Sequence, residues 1–182
     1  FCLQMTGTAP YALDMKTSKA ADRDRGYLAG KVPGNFGGWI VALQRFGTKS
    51  LAEVLESAIY YAKNGVPMNE EDVDWIAQNK TMIELYPTTK KIFLPGGNVP
   101  KVGELLKNPD LARTYEKLVE AEAVALKNGK SRVEALQAAY DRFYTGDIAK
   151  EFVRFYNEVG GLFTAKDFDD YEPIWRDPVH TT

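Results

Sequence analysis

The hydrophobic positions between residues 32 and 47 have the spacing of a short helix that follows a tight turn. Val32-Pro33-Gly34 is a typical turn sequence, because proline fixes φ near about −65° and glycine tolerates a positive φ. Asn35 offers a side-chain oxygen as a helix cap, and apolar residues then recur at positions 36, 39, 40, 43 and 46. We expect Gly47 to end this helix.

Gly37 and Gly38 lie in the first turn of that helix, although each costs roughly 1 kcal/mol relative to alanine. One interpretation is a packing device, in which another segment lies very close to the helix backbone. The alternative is a phosphate cradle at a helix N-terminus, which in dinucleotide-binding proteins follows directly after a strand. Residues 23–31 are charged and contain glycine, which is not typical of a strand, so the sequence favours packing.

The rest of the chain has the same helical periodicity, framed by a predicted strand at each end, residues 1–5 and 174–179. Capping boxes are predicted at Ser50 with Glu53 and at Ser131 with Glu134. Together with the stretch described above, the predicted helical part covers residues 32–171, with helices at 51–62, 69–86, 109–126, 131–144, 148–159 and 164–171. The fold class is therefore a mostly α-helical segment with terminal strands, treated as a single unit of 1–182.

Composition narrows the functional classes. Hydrophobic residues make up 45% and charged residues 26% of the 182, which is ordinary for a globular protein. The net charge is −2 and basic residues do not cluster, so we expect no nucleic-acid partner. No apolar run approaches the roughly 18 residues of a membrane helix, so we expect no membrane span in this segment. The first residue is not methionine and the last strand stops in mid-run, which indicates a fragment.

The side chains that usually carry catalysis are scarce. His180 is the only histidine and Cys2 the only cysteine, so the chain cannot build a histidine triad or a multi-histidine metal site, and we expect no metal. The acidic clusters at 70–74 and 167–170 lie in predicted first turns of helices, where carboxylates are expected. Asn79-Lys80-Thr81 matches a glycosylation sequon, a pattern that recurs by chance. The sequence therefore predicts no catalytic residue within this chain.

Several blocks in order along the chain resemble the γ-glutamyltranspeptidase family. They are Thr8-Ala9-Pro10 after a strand, Val32-Pro33-Gly34 through Trp39, Arg45-Phe46-Gly47, residues 51–62 followed by Asn64-Gly65, Leu111-Ala112-Arg113-Thr114, Phe143-Tyr144-x-Gly146-x-Ile148-Ala149, and Gly160-Gly161-Leu162-Phe163-Thr164-x-x-Asp167-Phe168-x-x-Tyr171. No block is diagnostic by itself, but the combination covers nearly the whole chain.

The resemblance implies an N-terminal-nucleophile hydrolase with an αββα sandwich, made as a precursor that cuts itself before a threonine. This chain would be part of the large subunit, with its terminal strands in the sandwich. Its partners would be the small subunit from the same precursor and a small-molecule amide substrate, without a cofactor. The nucleophilic threonine would lie outside the 182 residues, so this segment alone is expected to be inactive. A periplasmic or secreted location fits a typical member, and a cytoplasmic one stays open.

Thr6 is the one substrate-binding candidate that the resemblance gives. Typical transpeptidases have an arginine at this position, in the strand before the Ala-Pro turn, which holds the α-carboxylate of the glutamyl group. Threonine offers a single neutral hydrogen bond, which favours an amide other than a γ-glutamyl one. The segment from Glu120 to Ala139 is longer than the usual connection and is expected to shape an interface or a pocket rim. The alternative is a stand-alone helical binding module, whose terminal strands would be unpaired edges.

Overall fold

The computed structural model describes residues 2–14, 16, 19 and 24–179. Its helices are α1 Asn35–Phe46, α2 Leu51–Asn64, α3 Glu70–Gln78, α4 Lys80–Glu84, α5 Pro87–Phe93, α6 Pro109–Lys127, α7 Arg132–Tyr144, α8 Asp147–Glu158 and α9 Ala165–Asp169. Its strands are β1 Cys2–Gln4, β2 Val66–Pro67, β3 Leu105–Leu106 and β4 Ile174–Arg176. Short 3-10 turns lie at Tyr27–Ala29 and Pro95–Gly97.

The tertiary contacts divide the chain into two compact units. The first consists of Phe1–Leu51 and Leu118–Thr182, and the second of Ala52–Lys117. The boundaries fall at the first residue of α2 and within α6. That residues 1–182 act as a single unit, as the sequence analysis assumes, stays a prediction.

The first unit is a helical layer with a two-stranded sheet. Helix α1 packs on α7, α7 packs on α8, and α8 packs on α9. The side of α1 that faces the interior consists of Phe36, Gly37, Gly38 and Ile40, all buried. Because the apolar residues of α7 recur on one face, it buries Ala135, Leu136, Ala139, Phe143 and Tyr144.

The two terminal strands pair with each other. β1 and β4 are antiparallel, with Cys2 opposite Arg176, Leu3 opposite Trp175 and Gln4 opposite Ile174. The strands were predicted, but the expectation that they would be unpaired edges in a free module is wrong. The register explains why, since pairing satisfies the inner backbone groups of both strands.

The second unit has an aliphatic core. Its strands β2 and β3 pair antiparallel, with Val66 opposite Leu106. Met68, Ile76, Ile83 and Leu94 form the buried cluster. The predicted helix 69–86 is divided at Asn79, whose side-chain amide donates to the Trp75 carbonyl at 2.8 Å and so competes with the backbone ladder.

The helix caps were mostly predictable. Asn69 accepts from the Asp72 amide at 2.8 Å, and complete capping boxes form at Ser131 with Glu134 and at Thr164 with Asp167. Helix α2 begins at Leu51, as expected, and its first amide donates to the buried Glu122 carboxylate at 2.9 and 3.0 Å.

The prediction of an Asn35 cap is wrong, because Asn35 is already helical and Gly34 is the capping residue. Gly34 has φ −90°, so it is not needed for a positive φ. Gly47 does end α1, although with an extended backbone rather than a left-handed one.

Candidate functional site

The Thr6–Pro10 loop is the segment between β1 and Tyr11, and it contains the candidate residue Thr6. Its backbone is fixed against the turn before α1, since the Val32 amide donates to the Thr8 carbonyl at 2.9 Å. A side chain at Gly7 would overlap the Val32 carbonyl, so only glycine fits this crossing. Thr6 itself is exposed, and its hydroxyl has no hydrogen-bond partner among the described residues. A fixed loop therefore presents an unengaged hydroxyl.

The glycines of the opening turn serve close packing, as the sequence favoured. A Cβ on Gly34 would overlap the Met5 carbonyl and lie 2.9 Å from the Gly7 amide nitrogen. A Cβ on Gly37 would lie 2.8 Å from the Tyr144 hydroxyl, and one on Gly38 would lie 2.5 Å from the Met5 sulfur. Because Gly34 and Gly38 have no side chains, the backbone and side chain of the residues next to Thr6 can lie directly against them.

Three tyrosine hydroxyls bind the backbone near this turn. Tyr144 donates to the Pro33 carbonyl at 2.6 Å and accepts from the Gly37 amide at 2.9 Å. Tyr171 donates to the Gly34 carbonyl at 3.0 Å, and Tyr140 donates to the Tyr171 carbonyl at 2.7 Å. Burial raises the pKa of all three hydroxyls above the ordinary tyrosine value, so they stay protonated and can donate.

Tyr11, the residue that follows the Thr6–Pro10 loop, is bound by acidic side chains at α9 and just after it. Asp167, which is 3% exposed, accepts from the Tyr11 amide at 2.6 Å and from the amide and hydroxyl of Thr164 at 2.6 and 2.7 Å. Asp170 accepts from Lys166 and from the Tyr11 hydroxyl, and these hydrogen bonds hold the pKa of its carboxyl below the ordinary value. The Thr6–Pro10 loop is therefore anchored on both sides.

The sequence profile described as gamma-glutamyltranspeptidase matches residues 2–182. The chain belongs to the γ-glutamyltranspeptidase family. It is 30% identical to the glutathione hydrolase-like YwrD proenzyme of Bacillus subtilis over 148 residues, 81% of this chain and 25% of that protein. The chain spans about a quarter of the length of the curated relatives it matches.

Solved structures of this family have the same fold. The γ-glutamyltranspeptidase of Helicobacter pylori superposes with a TM-score of 0.80 at 25% identity, over 97% of this chain and 48% of that one. The cephalosporin acylase from Bacillus halodurans gives 0.79 at 26% identity, over 97% of this chain and 32% of that one. They confirm the fold class, a mostly helical part of an N-terminal-nucleophile hydrolase with terminal strands.

Cys2 and His180 are the single cysteine and the single histidine of the sequence. Cys2 is exposed on β1, while His180 lies outside the described residues. Within the described part of the chain, no three His, Cys, Asp or Glu side chains are grouped to hold a metal ion. Nor does that part contain a helix that is both long and apolar enough to cross a membrane.

The segment from Glu120 to Ala139 forms the end of α6 and the first half of α7. Its residues line an open surface groove of about 750 Å³, whose charged side chains include Glu120, Glu134 and Arg142. Arg142 spans this region by binding Glu120 at 2.7 Å and Asp147 at 3.0 Å. A role as an interface or pocket rim stays a prediction.

Sequence reasoning missed the tyrosines as anchors and treated them as ordinary core residues. One signal was available, because a buried tyrosine hydroxyl needs a hydrogen-bond partner and this chain has ten tyrosines. The sequence placed Asp167 only in the first turn of a predicted helix. Its second bond, to the Tyr11 amide, joins residues 156 positions apart and has no local pattern.

Proposed function

We propose that this chain is the scaffold and pocket-wall part of a self-processing amide hydrolase whose threonine nucleophile lies outside the 182 residues. Membership of the γ-glutamyltranspeptidase family supports the reaction class. The word proenzyme in the names of the Bacillus subtilis and Escherichia coli relatives supports cleavage of a precursor into two subunits. The small subunit of the same precursor would then be the partner of this chain.

The observation that carries the proposal is the exposed Thr6 on the anchored Thr6–Pro10 loop. By its resemblance to the family, Thr6 is proposed to stand at the position at which typical members carry an arginine for the substrate's α-carboxylate. A hydroxyl supplies one neutral hydrogen bond and no charge, so it pairs poorly with a carboxylate. We therefore propose that the acyl group of the substrate lacks that carboxylate. The name of the cephalosporin acylase, which has a similar fold, is in line with amides other than γ-glutamyl ones.

The reaction would proceed in two steps. The threonine hydroxyl attacks the amide carbonyl while the α-amine of that threonine takes its proton, and the amine product leaves with a proton. Backbone donors stabilise the negative oxygen of the tetrahedral intermediate. Water then hydrolyses the ester and restores the threonine, or an acceptor amine takes the acyl group.

The first test is intact mass of the complete precursor during incubation after purification. Two fragments, the smaller one starting at threonine, are the expected result. A single uncut chain that is folded would overturn self-processing and would favour a helical binding module.

The second test compares Thr6→Arg with the wild type on γ-glutamyl and 4-aminobutyryl p-nitroanilide, which differ only in the α-carboxylate group. The wild type should prefer the 4-aminobutyryl substrate, which lacks the carboxylate. Thr6→Arg should lower KM for the γ-glutamyl substrate by about tenfold, since a charge-assisted bidentate pair is roughly twice as strong as a neutral bond. An unchanged preference would contradict the role of Thr6.

A further inference from the structure

We propose that Tyr171 and Tyr144 are positioning residues for the acyl-binding Thr6. This inference rests on the proposed function of Thr6 and goes beyond it by naming what fixes its place. The Tyr144 hydroxyl donates to the Pro33 carbonyl and the Tyr171 hydroxyl donates to the Gly34 carbonyl. The turn formed by Pro33 and Gly34 packs against the Thr6–Pro10 loop.

Gly34 packs against the backbone of both chain neighbours of Thr6, Met5 and Gly7. The Cβ position of Gly34 is taken by the Met5 carbonyl, and it lies 2.9 Å from the Gly7 amide nitrogen. Met5 and Gly7 are the two chain neighbours of Thr6. A shift of the Gly34 backbone therefore displaces the peptide groups before and after the residue that meets the substrate.

Tyr171 sets the position of Gly34 by a buried hydrogen bond of 3.0 Å between residues 137 positions apart. Tyr144 fixes the preceding carbonyl, that of Pro33, at 2.6 Å and the Gly37 amide at 2.9 Å. The two rings stack with centroids 5.0 Å apart. Both ends of the turn are thus held by hydroxyls on one aromatic stack.

The hydroxyls and not the rings carry this role, because phenylalanine would fill the same space but remove the tyrosine donor from each carbonyl. The Gly34 carbonyl would keep only the Gly38 amide, which donates to it at 3.1 Å. Tyr156 offers the matched control. It is a partly buried tyrosine of the same unit, packed against Phe163 at 4.5 Å between centroids. Its hydroxyl has no hydrogen-bond partner among the residues that the structure describes.

The experiment uses the self-processed complete protein and the variants Tyr171→Phe, Tyr144→Phe and Tyr156→Phe, each with and without Thr6→Ala. With 4-aminobutyryl p-nitroanilide, Tyr171→Phe should raise KM about fivefold, as expected for one lost neutral hydrogen bond, with kcat changed by less than about twofold. In the Thr6→Ala background the same substitution should change KM by less than about twofold, because interacting residues are not additive. Tyr156→Phe should leave KM unchanged in both backgrounds.

Additive effects of Tyr171→Phe and Thr6→Ala would overturn the inference, as would equal effects of Tyr171→Phe and Tyr156→Phe. A second readout needs no turnover. The Val32 amide, which donates to the Thr8 carbonyl, should exchange its hydrogen about fivefold faster in Tyr171→Phe and Tyr144→Phe than in Tyr156→Phe. If the wild type hydrolyses neither anilide, the proposed function fails, and this exchange rate still decides whether the tyrosines hold the loop.

Discussion

The first unit buries six aromatic side chains in its core, whereas the core cluster of the second unit is aliphatic. In the first unit Phe36, Phe143, Tyr144, Phe163, Phe168 and Tyr171 are buried. In the second, the cluster consists of Met68, Ile76, Ile83 and Leu94. An aliphatic core is held by volume and burial, which do not depend on direction. A buried tyrosine adds a hydroxyl that needs a partner in a defined direction, so the aromatic core also fixes the backbone of a turn.

Because of this difference, we expect substitutions in the two cores to have different effects on stability and on the geometry of the loop. Removing volume from the second unit should cost free energy of unfolding without changing the geometry of the Thr6–Pro10 loop. Disturbing the contacts around the opening turn of the first unit should cost less free energy but change that geometry. Four substitutions in the complete protein test the contrast.

The largest effect on stability is expected for Ile76→Ala in the second unit. Ile76 is 2% exposed within the aliphatic cluster, and such truncations cost about 2–5 kcal/mol through lost burial and the cavity left behind. Denaturant unfolding and hydrogen exchange of α3 measure the loss. KM should stay unchanged, and a raised KM would break the comparison.

Gly34→Ala is expected to cost about 2–3 kcal/mol, because the new methyl group overlaps the Met5 carbonyl and the Tyr171 hydroxyl. Gly129→Ala is the control, since Gly129 has φ +78° and no neighbouring atom within 4 Å. Its cost should be about 1 kcal/mol, from the backbone alone. The same denaturant measurement compares the two variants, and equal losses would contradict the close packing at Gly34.

Asp167→Asn should cost about 1–3 kcal/mol, because its two oxygens accept from separate backbone amides and an asparagine presents an NH₂ group to one of them. Asp169→Asn, at an exposed position of the same helix, should stay within about 0.5 kcal/mol of the wild type. Thermal unfolding separates the two. A loss at Asp169 as large as that at Asp167 would show that charge, and not the two bonds, matters.

The smallest expected effect is on the pH dependence of stability, which should differ between a helix cap of the first unit and one of the second. Hydrogen bonds from the Ser131 hydroxyl and amide, with Lys130 nearby, lower the pKa of Glu134 from 4.5 to about 2. A carboxyl with a lowered folded pKa stabilises fully above its ordinary value, and that contribution is lost as the pH falls from about 4.5 toward 2.

Glu134→Gln should therefore reduce the loss of stability in this acid range. The cap of α3 in the second unit is Asn69, which does not titrate, so Asn69→Ser should leave the acid profile unchanged. Unfolding midpoints measured from pH 6 to pH 2 give both profiles. If the unfolding midpoints of Glu134→Gln and the wild type fell equally with pH, Glu134 would not contribute to the acid sensitivity of the first unit.

Local patterns predicted the elements well, and distant contacts explain the rest. The stripe at 51–62, the stop at Asn64-Gly65 and the box at Ser131 are short-range signals, and the structure has them. Asn79 was missed as a break, because asparagine's competition with the backbone depends on its surroundings.

For the site, the close packing at Gly37 and Gly38 was predictable from two glycines in one helical turn, but its partners Tyr144 and Met5 were not. The hydrogen bond between Tyr144 and Gly37 joins residues 107 positions apart, and no periodicity of the sequence encodes it. Thr6 came from family resemblance, and its role stays a prediction.

The pairing of β1 with β4 has a consequence for the order of events during synthesis. Arg176 binds Gln4 across 172 positions of the chain, so β1 can pair with β4, its partner among the described residues, only after almost the whole segment has been translated. At 5–20 residues per second this interval lasts roughly 10–30 s. The loop that carries Thr6 also depends on Tyr144, Asp167 and Tyr171. Although it is translated early, it is among the last parts of this segment to be organised.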